Sequence, residues 1–181
     1  MLEAKIVFTG PPNAGKTTAI GILSDTPPLV TDVTNHDAAL GKDRTTVGLD
    51  YGEVKLGEGE SVRLFGTPGQ KRFDFMWRIL VRNAIGLVIL MDNSQPGPLS
   101  QLTEILDALR ESLAVTACVV GVGRTEQHPE PALERYTELL AERGLLVPVV
   151  AVDVREREDV MMLIELILSQ AEARQALESD E

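Results

Sequence analysis

The sequence predicts an α/β fold: an open, mostly parallel sheet with helices on both faces. Three observations predict it. A glycine-rich loop, Gly10-Pro11-Pro12-Asn13-Ala14-Gly15-Lys16-Thr17, lies between an apolar run and a helical segment. From Ile85 onward, apolar runs alternate regularly with helical stripes, as in a parallel sheet with crossover helices. One early pair of runs, 47–55 and 61–65, is joined by Gly57-Glu58-Gly59 and reads as a hairpin. Sheets of this class bind ligands outside the carboxyl ends of their strands. Thr9/Gly10, Phe65/Gly66, Met91/Asp92 and Val122/Gly123 all fall on that edge.

The elements follow in order. Ala4 to Thr9 reads as a strand and Thr18 to Leu23 as a helix. Ser24 to about Arg44 is polar, contains Thr26-Pro27-Pro28, and reads as a long loop of the kind that usually carries function. After the hairpin, Gly66-Thr67-Pro68-Gly69-Gln70 breaks the pattern and a helix is expected over 72–82. Ile85 to Met91 is continuously apolar, suited to a central strand buried on both faces. Leu99, Leu102, Ile105, Leu106 and Leu109 share one helical face. Val115 to Val122 is the next strand. Leu133, Tyr136, Leu139 and Leu140 mark a helix started by Pro131 and ended near Gly144. Leu146 to Val152 closes the strand series. Val160, Leu163, Ile164, Ile167 and Leu168 mark a last helix, with an acidic tail fraying after Leu177.

Composition narrows the classes. The 181 residues suit one domain with a substantial core, and 44% hydrophobic with 25% charged residues is globular. A formal net charge of −11 argues against nucleic acid as a partner and against an electrostatic grip on anionic lipid. Cys118, the single cysteine, lies in an apolar run and reads as a core residue, so no disulfide framework or cysteine zinc site is expected. With no signal peptide, no bilayer-length apolar run and no C-terminal lipidation motif, a cytoplasmic protein without an integral membrane segment is expected.

The glycine-rich loop carries the chemistry. With a strand before it and a helix after it, the GxxxxGKT spacing is that of a phosphate-binding loop. Successive backbone N–H groups form a nest for phosphate oxygens, and the helix N-terminus adds partial positive charge. Pro11 and Pro12 have no N–H, so the donors must start at Asn13 and run through Ala14, Gly15, Lys16, Thr17 and Thr18. Lys16 reaches the terminal phosphates as a point charge, and Thr17 offers a hydroxyl to Mg²⁺. Two further segments suit nucleotide sensing. In Arg44-Thr45-Thr46-Val47-Gly48 a threonine can face the metal. In Gly66-Thr67-Pro68-Gly69-Gln70 the Gly69 N–H can contact the terminal phosphate and Gln70 can orient an attacking water.

These three segments, in this order and spacing, resemble the first three nucleotide motifs of Ras-like small GTPases. Leu64-Phe65-Gly66-Thr67-Pro68-Gly69-Gln70 is more specifically similar to the prokaryotic branch that includes the gliding-motility GTPase MglA and the small GTPases encoded beside roadblock-domain proteins. The resemblance covers essentially the whole chain. It implies a P-loop NTPase three-layer sandwich, a single G domain over 1–181, with a mostly parallel six-stranded sheet and one antiparallel edge strand. It implies GTP/GDP and Mg²⁺ as ligands, switch loops over 24–46 and 66–77, and Thr17 and Thr46 facing the metal, with Thr45 competing for the second place. Gln70 would position water. Arg44 would act either as an arginine finger in cis or as a plain solvated cation. A roadblock-domain homodimer is the partner the resemblance suggests, the chain being otherwise a monomer.

The departures are informative. Gly66 stands where most small GTPases carry an aspartate that orients a metal-bound water. No carboxylate replaces it in the local sequence, which predicts weak metal binding. Gly123-Arg124-Thr125-Glu126 occupies the place of the guanine-reading N-K-x-D motif. Glu126 can still accept both guanine N–H groups, with Arg124 in the lysine's place. Losing one charge-assisted hydrogen bond, worth about 1.5–3 kcal/mol, would relax base choice on the order of tenfold to a hundredfold. Asp92 reads as a strand-end turn residue rather than a metal ligand. His36 and His128 have no catalytic partners nearby in sequence.

Two functions are therefore open. One is a GTP-binding molecular switch with slow hydrolysis, signalling through Arg72-Phe73-Asp74-Phe75-Met76-Trp77, whose apolar residues are either exposed for a partner or buried under a loop. The other is a non-catalytic nucleotide-binding scaffold with relaxed base specificity. An ATP-using enzyme is disfavoured, since the chain leaves no room for an acceptor domain or lid.

Overall fold

The computed structural model describes residues 3–27, 29–34, 46–70 and 74–179. Seven strands form one sheet: β1 (Glu3–Thr9), β2 (Leu29–Thr34), β3 (Thr46–Gly57), β4 (Glu60–Gly66), β5 (Gly86–Asp92), β6 (Ala117–Gly123) and β7 (Val149–Ala151). Their order is β2-β3-β4-β1-β5-β6-β7. The helices are α1 (Lys16–Leu23), α2 (Asp74–Val81), α3 (Pro98–Ala108), α4 (Arg110–Leu113), α5 (Leu133–Glu142) and α6 (Arg157–Ser179).

All six expected strands are present, and β3 is the reversed one, antiparallel to β4. The seventh, β2, is a correction. It lies within the stretch read as a loop and pairs antiparallel with β3, Leu29 opposite Tyr51 through Thr34 opposite Thr46. β2 thus takes the sheet edge that β3 was expected to hold. An edge strand needs only one paired side and one partner's backbone, so its sequence need not be strongly apolar.

Two cores sandwich the sheet. On one face α1 and α6 pack through Ile20, Leu23, Val160, Leu163, Ile164 and Ile167 onto Ile6, Phe8, Leu64, Val88 and Val119. On the other, α2, α3 and α5 pack through Trp77, Leu102, Leu106, Tyr136 and Leu140 onto Val7, Leu87, Ile89 and Val120. Strand residues alternate between these faces, and every residue of β5 is buried, in keeping with its apolar run up to Met91 before Asp92 ends the strand.

Several boundaries move. β6 starts at Ala117, leaving Val115 77% exposed, and β7 is three residues long, leaving Leu146 96% exposed. α6 runs on through Leu177 to Ser179, where fraying was expected.

Topology positions the site. β1 lies between β4 and β5, parallel to both. The chain leaves β1 towards one half of the sheet and returns through β5 to the other, so the crevice above β1 is the topological switch point.

Candidate functional site

The glycine-rich loop closes over the end of β1. Gly15 has φ of 100° and Asn13 a φ of 64°, left-handed conformations that wind the loop tightly before α1 begins, with Ala14 N–H donating to the Pro11 carbonyl at 3.3 Å. Lys16 is 7% exposed and folds back under the loop, its Nζ donating to the carbonyls of Gly10 at 2.8 Å and Pro11 at 2.7 Å. Burial lowers its pKa to about 8, against the opposing pull of the Asp50 carboxylate. A desolvated ammonium at a helix N-terminus is a strong anion site, because phosphate oxygens would restore the counter-charge that water no longer supplies.

The second predicted segment docks onto the first. Thr67 N–H donates to the Phe8 carbonyl at 2.9 Å, and the Thr67 and Thr9 hydroxyls are hydrogen-bonded at 2.9 Å, both side chains being buried. Trp77 Nε1 donates to the Pro68 carbonyl at 2.8 Å, anchoring the loop from α2. Gly69 rests against the phosphate loop: a Cβ there would lie 2.7 Å from Pro12 N and 3.0 Å from Lys16 Nζ. Gln70 follows, exposed. Met76 and Trp77 are buried whereas Phe75 and Ile79 are 46% and 62% exposed, so α2 divides between core and surface; Arg72 and Phe73 lie outside the described residues.

Gly66 requires a correction. A carboxylate does stand beside it, supplied by the neighbouring strand. Asp50 of β3 is the register partner of Gly66, and a Cβ at Gly66 would lie 3.0 Å from Asp50 Cβ and 3.1 Å from Asp50 Oδ2. Thr17 Oγ1 donates to that Oδ2 at 2.6 Å. The sequence reading missed Asp50 because it looked for an acid within the motif. The hairpin itself does not give the pairing by counting: the register shifts by one residue between Lys55 and Gly57, and only that irregularity brings Asp50 opposite Gly66 rather than Thr67.

The rest of the site is a cleft of about 880 Å³, lined by 13–18 of the phosphate loop, Asp92, 123–127, 151–155 and Asp159. Arg124 and Glu126 thus line one cleft with the loop. Arg124 has φ of 60°; its guanidinium lies 3.0 Å from Ser94 Oγ and 3.4 Å from Asp92 Oδ2. Asp92 does hold the strand-end turn, accepting from Ser94 N–H at 2.8 Å and Ser94 Oγ at 2.6 Å. It is also 2% exposed and lines the cleft, in keeping with the place of Met91/Asp92 at the ligand edge of the sheet. At the far wall, hydrogen bonds from Arg155 hold the Asp153 carboxyl down at about 2. Exposed Glu126 reaches into the cleft without a partner that would draw it away from a ligand among the hydrogen bonds and ion pairs of the described residues.

Arg44 and Thr45 lie outside the described residues, as does His36. Thr46 begins β3 opposite Thr34, and only its backbone is described. His128 lies away from the phosphate loop, its carbonyl accepting from Asn93 Nδ2 at 2.9 Å.

The architecture matches solved structures along nearly its whole length. The Arl6/BBS3 small GTPase of Trypanosoma brucei, solved with the nucleotide analogue GppNp, is 17% identical with a TM-score of 0.72, over 95% of this chain and 99% of that one. The G domain of the T. maritima FeoB iron transporter is 22% identical with a TM-score of 0.64, over 94% and 99%. The fold is that of a small-GTPase G domain. Curated sequence relatives include a Ras-related protein. Mouse Ras-related protein Rab-44 is 28% identical over 146 residues, 77% of this chain and 14% of Rab-44. The rat intraflagellar transport protein 22 homolog is 28% identical over 105 residues, 56% and 54% of the two chains. Uncharacterized protein MJ1339 of Methanocaldococcus jannaschii is 30% identical over 96 residues, 51% and 53%. This chain therefore spans about half or less of the length of the curated relatives it matches. No family model matches. No described helix is long and apolar enough to cross a membrane.

Proposed function

We propose that this chain is a GTP-binding molecular switch that hydrolyses GTP slowly to GDP. The observation that carries the reading is the buried Lys16 ammonium under a left-handed loop, with Gly69 of the second sensing segment resting on it. The chain's own residues divide the work. N–H groups from Asn13 to Thr18 hold the phosphates, Lys16 neutralises the terminal ones, Gly69 N–H senses the last, and Gln70 orients water from the exposed side. Arg44 supplies further positive charge. The hard oxygen donors Thr17, Thr46 and Asp50 suit Mg²⁺, which when bound neutralises phosphate charge. Arg124 and Glu126 face the base, with Glu126 accepting the guanine N–H groups.

Hydrolysis is slow because positioning without a complete charge clamp leaves most of the barrier in place. The order of 66–77 then depends on the terminal phosphate, and exposed Phe75 and Ile79 on α2 give the surface that a regulatory partner reads. By resemblance that partner is a roadblock-domain homodimer, met in the cytoplasm.

The test starts by denaturing the purified protein and identifying released nucleotide by chromatography. GDP or GTP is expected; ADP or ATP would overturn the base assignment. Gln70→Ala is then expected to slow single-turnover hydrolysis at least about tenfold while nucleotide still binds. Equal rates in both proteins would instead favour a non-catalytic scaffold.

A further inference from the structure

We infer that Asp50 orients the cation's water shell in this site, supplied by β3 in place of the aspartate that small GTPases carry at the position of Gly66. The inference rests on the phosphate-site reading above and deepens it by assigning the metal's carboxylate.

Three features of the structure converge on this. The first is register: Asp50 and Gly66 are direct partners across the β3–β4 ladder, so the two strands offer the same point in space two alternative sources of a side chain. The second is volume. A Cβ at Gly66 would lie 3.0 Å from Asp50 Cβ and from Ile20 Cδ1 and 3.1 Å from Asp50 Oδ2, so a carboxylate side chain there would crowd the place that Asp50 already fills. Glycine at 66 and aspartate at 50 are thus two halves of one exchange. The third is chemistry. The occupying oxygen, Asp50 Oδ2, lies 2.6 Å from the hydroxyl of Thr17, which directly follows the phosphate-loop lysine. A carboxylate and a hydroxyl set side by side next to a phosphate site are the donors Mg²⁺ takes when it keeps most of its waters.

A plain structural clamp between α1 and β3 is the competing role, and other bonds already perform it. Asp25 N–H donates to the Glu53 carbonyl at 2.8 Å, Lys55 N–H to Asp25 Oδ2 at 2.7 Å, and Glu53 N–H to Ser24 Oγ at 3.2 Å. These fix β3 against the end of α1 without Asp50. Among the described residues no three His, Cys, Asp or Glu side chains converge, so beside Asp50 and the threonine hydroxyls the cation needs phosphate and water oxygens. The probe is therefore Mg²⁺ with nucleotide rather than the metal alone.

The experiment loads the full chain with a fluorescent GDP and measures its release in excess Mg²⁺ and in EDTA. In the wild type Mg²⁺ is expected to slow release by about tenfold or more. Asp50→Asn keeps the shape and the Thr17 contact but loses the charge, and the ratio should fall close to one. Combining Asp50→Gly with Gly66→Asp returns a carboxylate from the other strand and should restore the ratio. Circular dichroism verifies that each variant is folded, and the exchanged pair decides the matter if Asp50→Asn does not fold. An Asp50→Asn protein with the wild-type ratio overturns the inference, as does a folded, nucleotide-binding exchange variant that ignores Mg²⁺. A wild type that binds GDP with no Mg²⁺ effect overturns the Asp50 assignment alone. A wild type that binds no guanine nucleotide overturns the phosphate-site reading, and this assignment with it.

Discussion

Lys16 holds its proton at an energetic cost. Its pKa falls from 10.5 to about 8 because the ammonium is buried, and the Asp50 carboxylate offsets only part of that. Between about pH 8 and 10.5 the unfolded chain keeps a proton that the folded chain has released, so this residue makes stability rise with pH across that window. The full effect is on the order of 3 kcal/mol. Cys118 and Tyr136 act the other way: burial pushes both up to about 12, so the folded chain keeps protons there that the unfolded chain loses at lower pH. A comparison with Lys16→Met isolates the lysine. Urea unfolding from pH 7.5 to 10 should show wild-type stability gaining on the variant as pH rises, and parallel curves would contradict the burial argument. The same substitution removes the phosphate counter-charge, so a gain in stability at neutral pH and a loss of nucleotide binding should accompany each other.

At the scale of elements, α6 depends on a strand residue with no side chain. Gly86 opens β5, and a Cβ there would lie 2.0 Å from Ile167 Cγ2. A β-branched residue in a helix has one strongly preferred rotamer, so Ile167 cannot turn aside and α6 must move. Gly86→Ala should therefore destabilise the protein by about 1–3 kcal/mol. In a double-mutant cycle by urea unfolding, Ile167→Ala in that background should cost less than the sum of the two single changes, by about 1 kcal/mol or more. Additive costs would mean that the helix adjusts freely. Closeness of this kind keeps the α1–α6 layer tight beneath the phosphate loop, where Arg157 also donates to the Ile22 and Leu23 carbonyls at the end of α1.

For the whole molecule, ligand binding and folding are linked. A nucleotide that binds only the folded chain raises its stability by about 2.7 kcal/mol at a hundredfold excess over Kd. For a chain of this length that corresponds to a Tm increase of about 5–10 °C. GDP with Mg²⁺ should produce it and ADP at equal concentration should not; equal shifts would remove the guanine preference assigned to Glu126. The net charge of −11 opposes approach of an anionic nucleotide, so its capture depends on the local positive field of the loop and α1 rather than on long-range steering.

Much of this was determined by the sequence alone. Six of the seven strands, the helices other than the short α4, and the places of the glycine-rich loop, the Gly66–Gln70 segment and the Arg124–Glu126 loop at strand ends were legible, because apolar periodicity and glycine spacing are local properties of the chain. The continuous burial of β5 was visible for the same reason. Only the tertiary structure decided the rest. The β2 strand shows little apolar pattern, since it is held at the edge by backbone pairing with β3. Asp50 becomes a neighbour of Thr17 only when β3 and β4 pair in register, and Asp92 and Arg124 meet only when β5 and β6 lie side by side. Motifs report what the chain does along its length; a carboxylate lent by one strand to another's gap depends on distances that exist only after the sheet has formed.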